Sequence, residues 1–114
     1  MNVFLEELND IAAALRQEAN DFAADSRQDE ADLNKIRANI YEVCATIGGV
    51  VCKTAPEAER EALFRRKLEV LPKNWQVALE AARAHGNTQR AVVEEVKLAA
   101  LEDVLSRLSQ RKGE

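Results

Sequence analysis

An all-α protein is what this chain predicts: a five-helix bundle with an N-terminal antiparallel helical hairpin, coiled-coil-like, and three shorter C-terminal helices. Three observations carry that expectation. Alanine supplies 19 and leucine 12 of the 114 residues, and both lose little on entering a helix. The 4 glycines and 2 prolines all lie beyond Ile47, so nothing in the backbone chemistry interrupts the first half. Apolar residues then recur at spacings of three and four, which is the helical period.

The first helix is expected over 3–24. Phe4, Leu8, Ile11, Leu15, Ala19 and Phe22 fall on one stripe, with Glu7, Asp10, Gln17, Glu18 and Asp21 on the opposite side, an amphipathic pattern. Asn2 is the candidate N-cap, with Glu6 and Glu7 near the positive end of the dipole. The pattern lapses at Asp25-Ser26-Arg27-Gln28-Asp29-Glu30. It resumes over 30–52 as Leu33, Ile36, Ile40, Val43, Ile47 and Val50/Val51, a heptad-like seam of nearly three repeats. The polar hexapeptide is either a turn closing a hairpin or part of one rod, roughly 75 Å long at the helical rise. The hairpin is expected, because each stripe is long enough to cover the other.

Thr54-Ala55-Pro56-Glu57 reads as a capping box, so a third helix is placed at 55–70. Pro72 ends it and opens a fourth, 73–85, on which Trp75, Ala78, Leu79 and Ala82 share a face. Gly86 suits the left-handed position after a helix, and Asn87 suits the cap of the next. The last helix, 88–110, is apolar over a wide arc: Val92, Val93, Val96 and Ala100 first, then Leu98, Leu101, Val104, Leu105 and Leu108. Such a helix is either central in its own bundle or shared between chains. The domain reading is one unit, 1–114, divided into the hairpin (1–53), the three-helix part (54–110) and a frayed tail (111–114).

Charge bounds the function. The net charge is −4 and the pI about 5.1, against general binding to nucleic acid or an anionic membrane. The balance is uneven. Residues 1–30 carry eight acidic and two basic side chains, whereas the basic excess is densest around Arg60, Arg65, Arg66, Lys67 and Lys73. An acidic first helix and a basic third could therefore attract one another within a chain or across a dimer. No stretch approaches the roughly 20 apolar residues of a membrane span. The acidic start, where a secretion signal would be basic, and two cysteines without a disulfide pattern point to a cytoplasmic location.

Chemical motifs are sparse. Cys44 and Cys52 are eight residues apart, about 12 Å along a helix axis, too far to bridge one another. With Gly48 and Gly49 they form a patch of small residues suited to close helix packing. A double glycine inside a helix costs about 1–2 kcal/mol relative to alanine, so the patch implies close approach, a kink or a helix end. No phosphate-binding loop, di-iron or zinc motif, or nucleophile elbow occurs. His85 has no acid, base or nucleophile beside it in sequence. No catalytic, metal or cofactor residue is therefore expected, and no enzyme activity.

The functional expectation is a non-enzymatic protein–protein interaction module: an adaptor, a small chaperone or a regulatory subunit. It is expected to form a homodimer and to hold another protein through a helical face. The interface candidates are Val93, Leu98, Leu101, Leu105 and Leu108. A helix-turn-helix DNA-binding regulator is the alternative, with the fourth helix offering only Lys73, Asn74, Gln76 and Arg83 to a groove. A bundle holding a small apolar ligand beside Gly48 and Gly49 is the second alternative.

Overall fold

The computed structural model describes residues 1–111. The described chain is helical apart from short connections: α1 (Asn2–Ala24), α2 (Gln28–Thr54), a 3₁₀ turn (Glu57–Glu59), α3 (Arg60–Glu69), α4 (Pro72–Ala84) and α5 (Thr88–Gln110). α1 and α2 form an antiparallel hairpin, not a rod. Residues 29–36 of α2 share a groove with 89–93 of α5, and Tyr41 bonds Asp103, so α2 and α5 run in the same direction. α4 folds back along α5, with Leu79 and Ala82 against Ala91 and Leu98. The molecule is thus two helical hairpins joined through α3, with α5 of the second packed against α2 of the first.

The same C-terminal motif closes each hairpin. At the first turn Arg27 N–H reaches Phe22 C=O (2.8 Å) and Ser26 N–H reaches Ala23 C=O. At the second, Asn87 N–H reaches Ala82 C=O (2.8 Å) and Gly86 N–H reaches Arg83 C=O. Both are Schellman patterns, which place one residue in the left-handed region. Gly86 (φ 67°) takes that position without strain; Ser26 (φ 60°) takes it with a Cβ that opposes it. Ser26→Gly is therefore expected to stabilise the fold by about 0.5–1 kcal/mol in denaturant melts. A loss would show that the serine side chain compensates for its backbone.

The hairpin packs through the small side of α2. Ala31, Ala38 and Ala45 are buried at intervals of seven, and so are Asn34, Tyr41 and Gly48. Phe4, Leu8, Ala12 and Ala19 are the buried residues of α1. Asn34 is buried at this interface, donating to Leu15 C=O (3.3 Å) while accepting from Arg37 Nη1 (2.6 Å). A buried amide bonded to the opposite helix discourages sliding by a turn, as a polar residue in a coiled-coil seam does. The Leu33-to-Val50 stripe, the more hydrophobic of the two, therefore does not form the hairpin seam. It lies toward α5, α3 and solvent.

The core is thick at one end. Phe4, Leu8, Cys44, Val51, Phe64, Leu68, Leu101, Val104 and Leu108 belong to one cluster, drawn from four helices. Toward the first tight turn the buried residues of α1 and α2 are Ala19, Ala31 and Asn34, and near the second a separate cluster of Leu79, Ala82 and Ala91 holds α4 to α5. The Cα radius of gyration, 15.5 Å, exceeds the roughly 13 Å of a close-packed domain of this size. The thin end is splayed.

Local expectations are corrected at four places. Asn2 is the first helical residue and makes no side-chain cap bond; Met1 precedes the helix. α2 begins at Gln28 and runs through Thr54, whose hydroxyl donates to Val50 C=O (2.8 Å). The capping box at Thr54 therefore does not form, Ala55 is extended, and α3 starts only at Arg60 after the 3₁₀ turn. Thr54 satisfies its hydroxyl within the helix that precedes it. Arg111 is not frayed: it ion-pairs Glu61 (3.8 Å) and stacks over the Phe4 ring. Residues 112–114 of the expected tail lie outside the described residues.

Charge also pairs differently from the expected attraction of α1 for α3. α1 is held by Arg107 of α5, through Glu7 (2.8 Å), and by the Arg16–Glu42 pair (2.5 Å) with α2. Arg66, Lys67 and Lys73 join no ion pair among the described residues. Arg66 and Lys67 of α3 therefore remain available, whereas Arg60 and Arg65 bond Ala55 C=O and the Ser109 hydroxyl.

Candidate docking surface

The sequence-derived interface residues on α5 divide sharply. Leu101 and Leu108 are fully enclosed by their own chain, so neither can meet a partner. Leu105 packs on the main core and Leu98 on the α4 cluster. α5 is apolar on several sides because α2, α3 and α4 each cover part of it. The apolar surplus that pointed to a second subunit at this helix is therefore largely satisfied internally. Val93 alone lines an open groove.

That groove, about 450 Å³, lies between the diverging amino-terminal halves of α2 and α5. Leu33, Ile36, Val92 and Val93 make it apolar, and Asp29 and Asp32 line its acidic edge. It exists because α5 leaves α2 toward the thin end, where no residue as large as Phe64 bridges the gap. A second groove, about 270 Å³, is lined by Thr46, Ile47, Val50 and Lys67. Between the two run Asn39, exposed, and Val43, partly exposed. Val50 is 52% exposed, the one large apolar side chain of α2 standing free of the bundle. The unpartnered surface is thus the outer row of α2, with a groove at each end and with Asn39 and Thr46 as polar steps between its aliphatic residues.

The patch of small residues resolves into two opposite roles. Gly48 faces inward: a Cβ there would lie 2.4 Å from Leu5 Cδ2 and 3.3 Å from Phe64 Cε1. Close helix packing is its physical reason. A Cβ at Gly49 would meet nothing within 4 Å. Cys44 is enclosed, and desolvation pushes its thiol up to about 12, whereas Cys52 is partly accessible. The two thiols are free of one another. A maleimide or aromatic disulfide reagent at pH 8 is expected to label Cys52 alone in the folded chain, and Cys44 only after denaturation, because thiolate and access are both required. Fast labelling of both would show that the core opens readily.

Tyr41 and Asp103 tie α2 to α5. The buried Tyr41 hydroxyl donates to Asp103, and Arg107 Nε donates to the same carboxylate (2.8 Å). Burial, then the bond to Asp103, raises the Tyr41 pKa. Burial acts upward on Asp103 too, but the bonds from Tyr41 and Arg107 prevail and hold it below the ordinary carboxylate range. A depressed folded-state value means stability present above the ordinary pKa and lost as pH falls through the lower one. Tyr41→Phe is expected to cost about 1–2 kcal/mol at neutral pH, and to move the Asp103 carboxyl titration upward by NMR. An unmoved titration would show that Arg107 alone sets it.

Two features escape sequence patterns. Glu94 is fully buried on α5, with Oε1 receiving Arg90 (3.0 Å) and Lys97 (3.4 Å) and Oε2 unbonded. In sequence it is one more acidic residue beside Glu95. Asn34 is likewise indistinguishable there from a solvated polar residue. Neither lines a groove.

Other chemistries find little here. Among the described residues no three His, Cys, Asp or Glu side chains gather as metal ligands. No helix among them is long and apolar enough to cross a membrane. α3 and α4 scarcely touch, whereas a helix-turn-helix packs its two helices firmly. The exposed residues of α4 include Asn74 and Gln76 with the opposing Glu80. Compared with protein-family models, with curated proteins and with solved structures, the chain matches none. The surface itself has to carry the functional reading.

Proposed function

We propose that this protein is a non-enzymatic interaction module, acting in the cytoplasm as an adaptor, small chaperone or regulatory subunit, which offers the outer row of α2 to an amphipathic helix. The observation that supports this is the pair of apolar grooves at the two ends of that row, with Val50 exposed beside one and Val92 beside the other. A helix laid along the row would bury Ile36, Val43, Ile47 and Val50, whose spacings of seven, four and three suit helix-in-groove docking. Exposed apolar side chains gathered in this way, unlike a solitary Val77 on α4, mark a recognition surface.

Photo-crosslinking in the cell of origin tests it. A benzophenone side chain at Asn39, on the row, is expected to give discrete adducts; one at Ala13, an exposed position on α1, is not. Val50→Glu should abolish the adducts from position 39 and leave the melting curve at dilute concentration unchanged, because position 50 already faces water in the single chain. Equal labelling from both positions, or adducts indifferent to Val50→Glu, would reject the reading.

A further inference from the structure

We infer that the helix seated on this surface is α2 of a second copy of the chain, antiparallel to the first about a two-fold axis near Val43. The inference rests on the docking reading above and names its partner.

Self-complementarity is the first argument. Ile36 and Val50 stand seven residues either side of Val43, so a half-turn there sets each against the other's counterpart. Asn39 and Thr46, the exposed polar residues of the row, lie four and three residues from the same point. The half-turn brings them to neighbouring positions across the axis. Ile36 thus meets Val50 and Val43 meets its own counterpart, as an isologous interface demands when i pairs with j and j with i, while Asn39 falls opposite Ile47.

The ends of the row fit as well. Val50, the exposed large apolar side chain of α2, is brought to the Leu33–Ile36–Val92–Val93 groove of the other copy, and this happens twice by symmetry.

Charge makes the orientation specific. Asp29 and Asp32 edge the amino-terminal groove; Lys67 lines the other, and Lys53 ends the row. None of the four takes part in an ion pair among the described residues. The antiparallel arrangement brings Asp29 and Asp32 to Lys53 and Lys67 at both ends. A parallel pair would place acid on acid and base on base. Lys35 is the one cation among residues 28–36, and it leaves that end net acidic. Rim charges of this kind choose register and orientation more than they add affinity.

The test is a charge swap read by light scattering and sedimentation equilibrium of the full chain in 0.1 M salt. The wild type is expected at twice 12.7 kDa in the micromolar range. Asp32→Lys alone and Lys53→Asp alone should each weaken association about tenfold, and the double swap should restore it to within about threefold. Both positions are exposed, and melting curves at dilute concentration verify that the variants fold. A single-chain mass at about 200 µM, far above the Kd expected of a specific interface, overturns the proposal. Single swaps that change nothing, or a double swap that fails to rescue, overturn it too. The crosslinker at position 39 separates the two failures. Adducts of another mass, with a monomeric chain in solution, remove the second copy and keep the docking surface; no adduct at all removes both.

Discussion

Phe64→Ala is expected to destabilise the fold by about 3–5 kcal/mol, which for a domain of this size is a third or more of a typical total of about 5–15 kcal/mol. Phe64 is completely enclosed, the largest side chain so buried. Its ring meets Phe4 edge to face, centroids 6.3 Å apart and planes at 73°, and Cε1 abuts the bare backbone at Gly48. α3 is short, and Phe64 and Leu68 are its only buried residues. Losing the ring therefore opens a cavity at the point where α1, α2 and α3 meet, and removes much of what holds α3 in place. Chemical denaturation followed by far-UV circular dichroism measures the change. A loss below about 1.5 kcal/mol would mean that the site collapses around the missing ring, contrary to the close packing described.

The two adjacent glycines of α2 should respond in opposite directions. Gly48→Leu is expected to cost about 2–3 kcal/mol, since the added volume is already taken by Leu5 and Phe64. Gly48→Ala should be milder, because the atom nearest its Cβ is a terminal methyl of the partly exposed Leu5, which can rotate, and alanine improves the helix. Gly49→Ala, measured at a dilution where single chains prevail, should stabilise by about 0.5–1 kcal/mol, as its Cβ enters open space. Equal effects at the two positions would contradict the inward and outward assignments. The contrast also isolates helix propensity from packing at neighbouring sites on one helix.

Much of the architecture is legible without coordinates. Five helices, the hairpin, the turn at Gly86 and the Asn87 cap, whose side chain accepts from Arg90 N–H (3.1 Å), follow from local chemistry. The turn at Ser26 is legible only as a polar gap, because a non-glycine residue in the left-handed region leaves no signature. The candidate site is legible in fragments. Val93 and the Leu33-to-Val50 stripe are visible as apolar surplus, but spacing alone places the stripe in the hairpin seam and the interface on the second half of α5. Asn39, at the middle of the row, carries no mark in sequence that separates it from any solvated amide.

What the chain determines by itself is periodicity: which residues share a helical face, and where backbone chemistry lets a helix stop. What only the assembled bundle decides is which face meets which neighbour. Two stripes compete on α2, one large and aliphatic, the other of alanines, Asn34 and Gly48. Side-chain size favours the first for burial, yet the second meets α1, because small residues let two long helices approach closely along their whole length while the large side chains of α1 fill the space between. Leu101 and Leu108 look spare for the same reason. Whether a leucine is surplus depends on what α3 and α4 place over it, and that is a property of the three-dimensional packing, not of spacing along the chain.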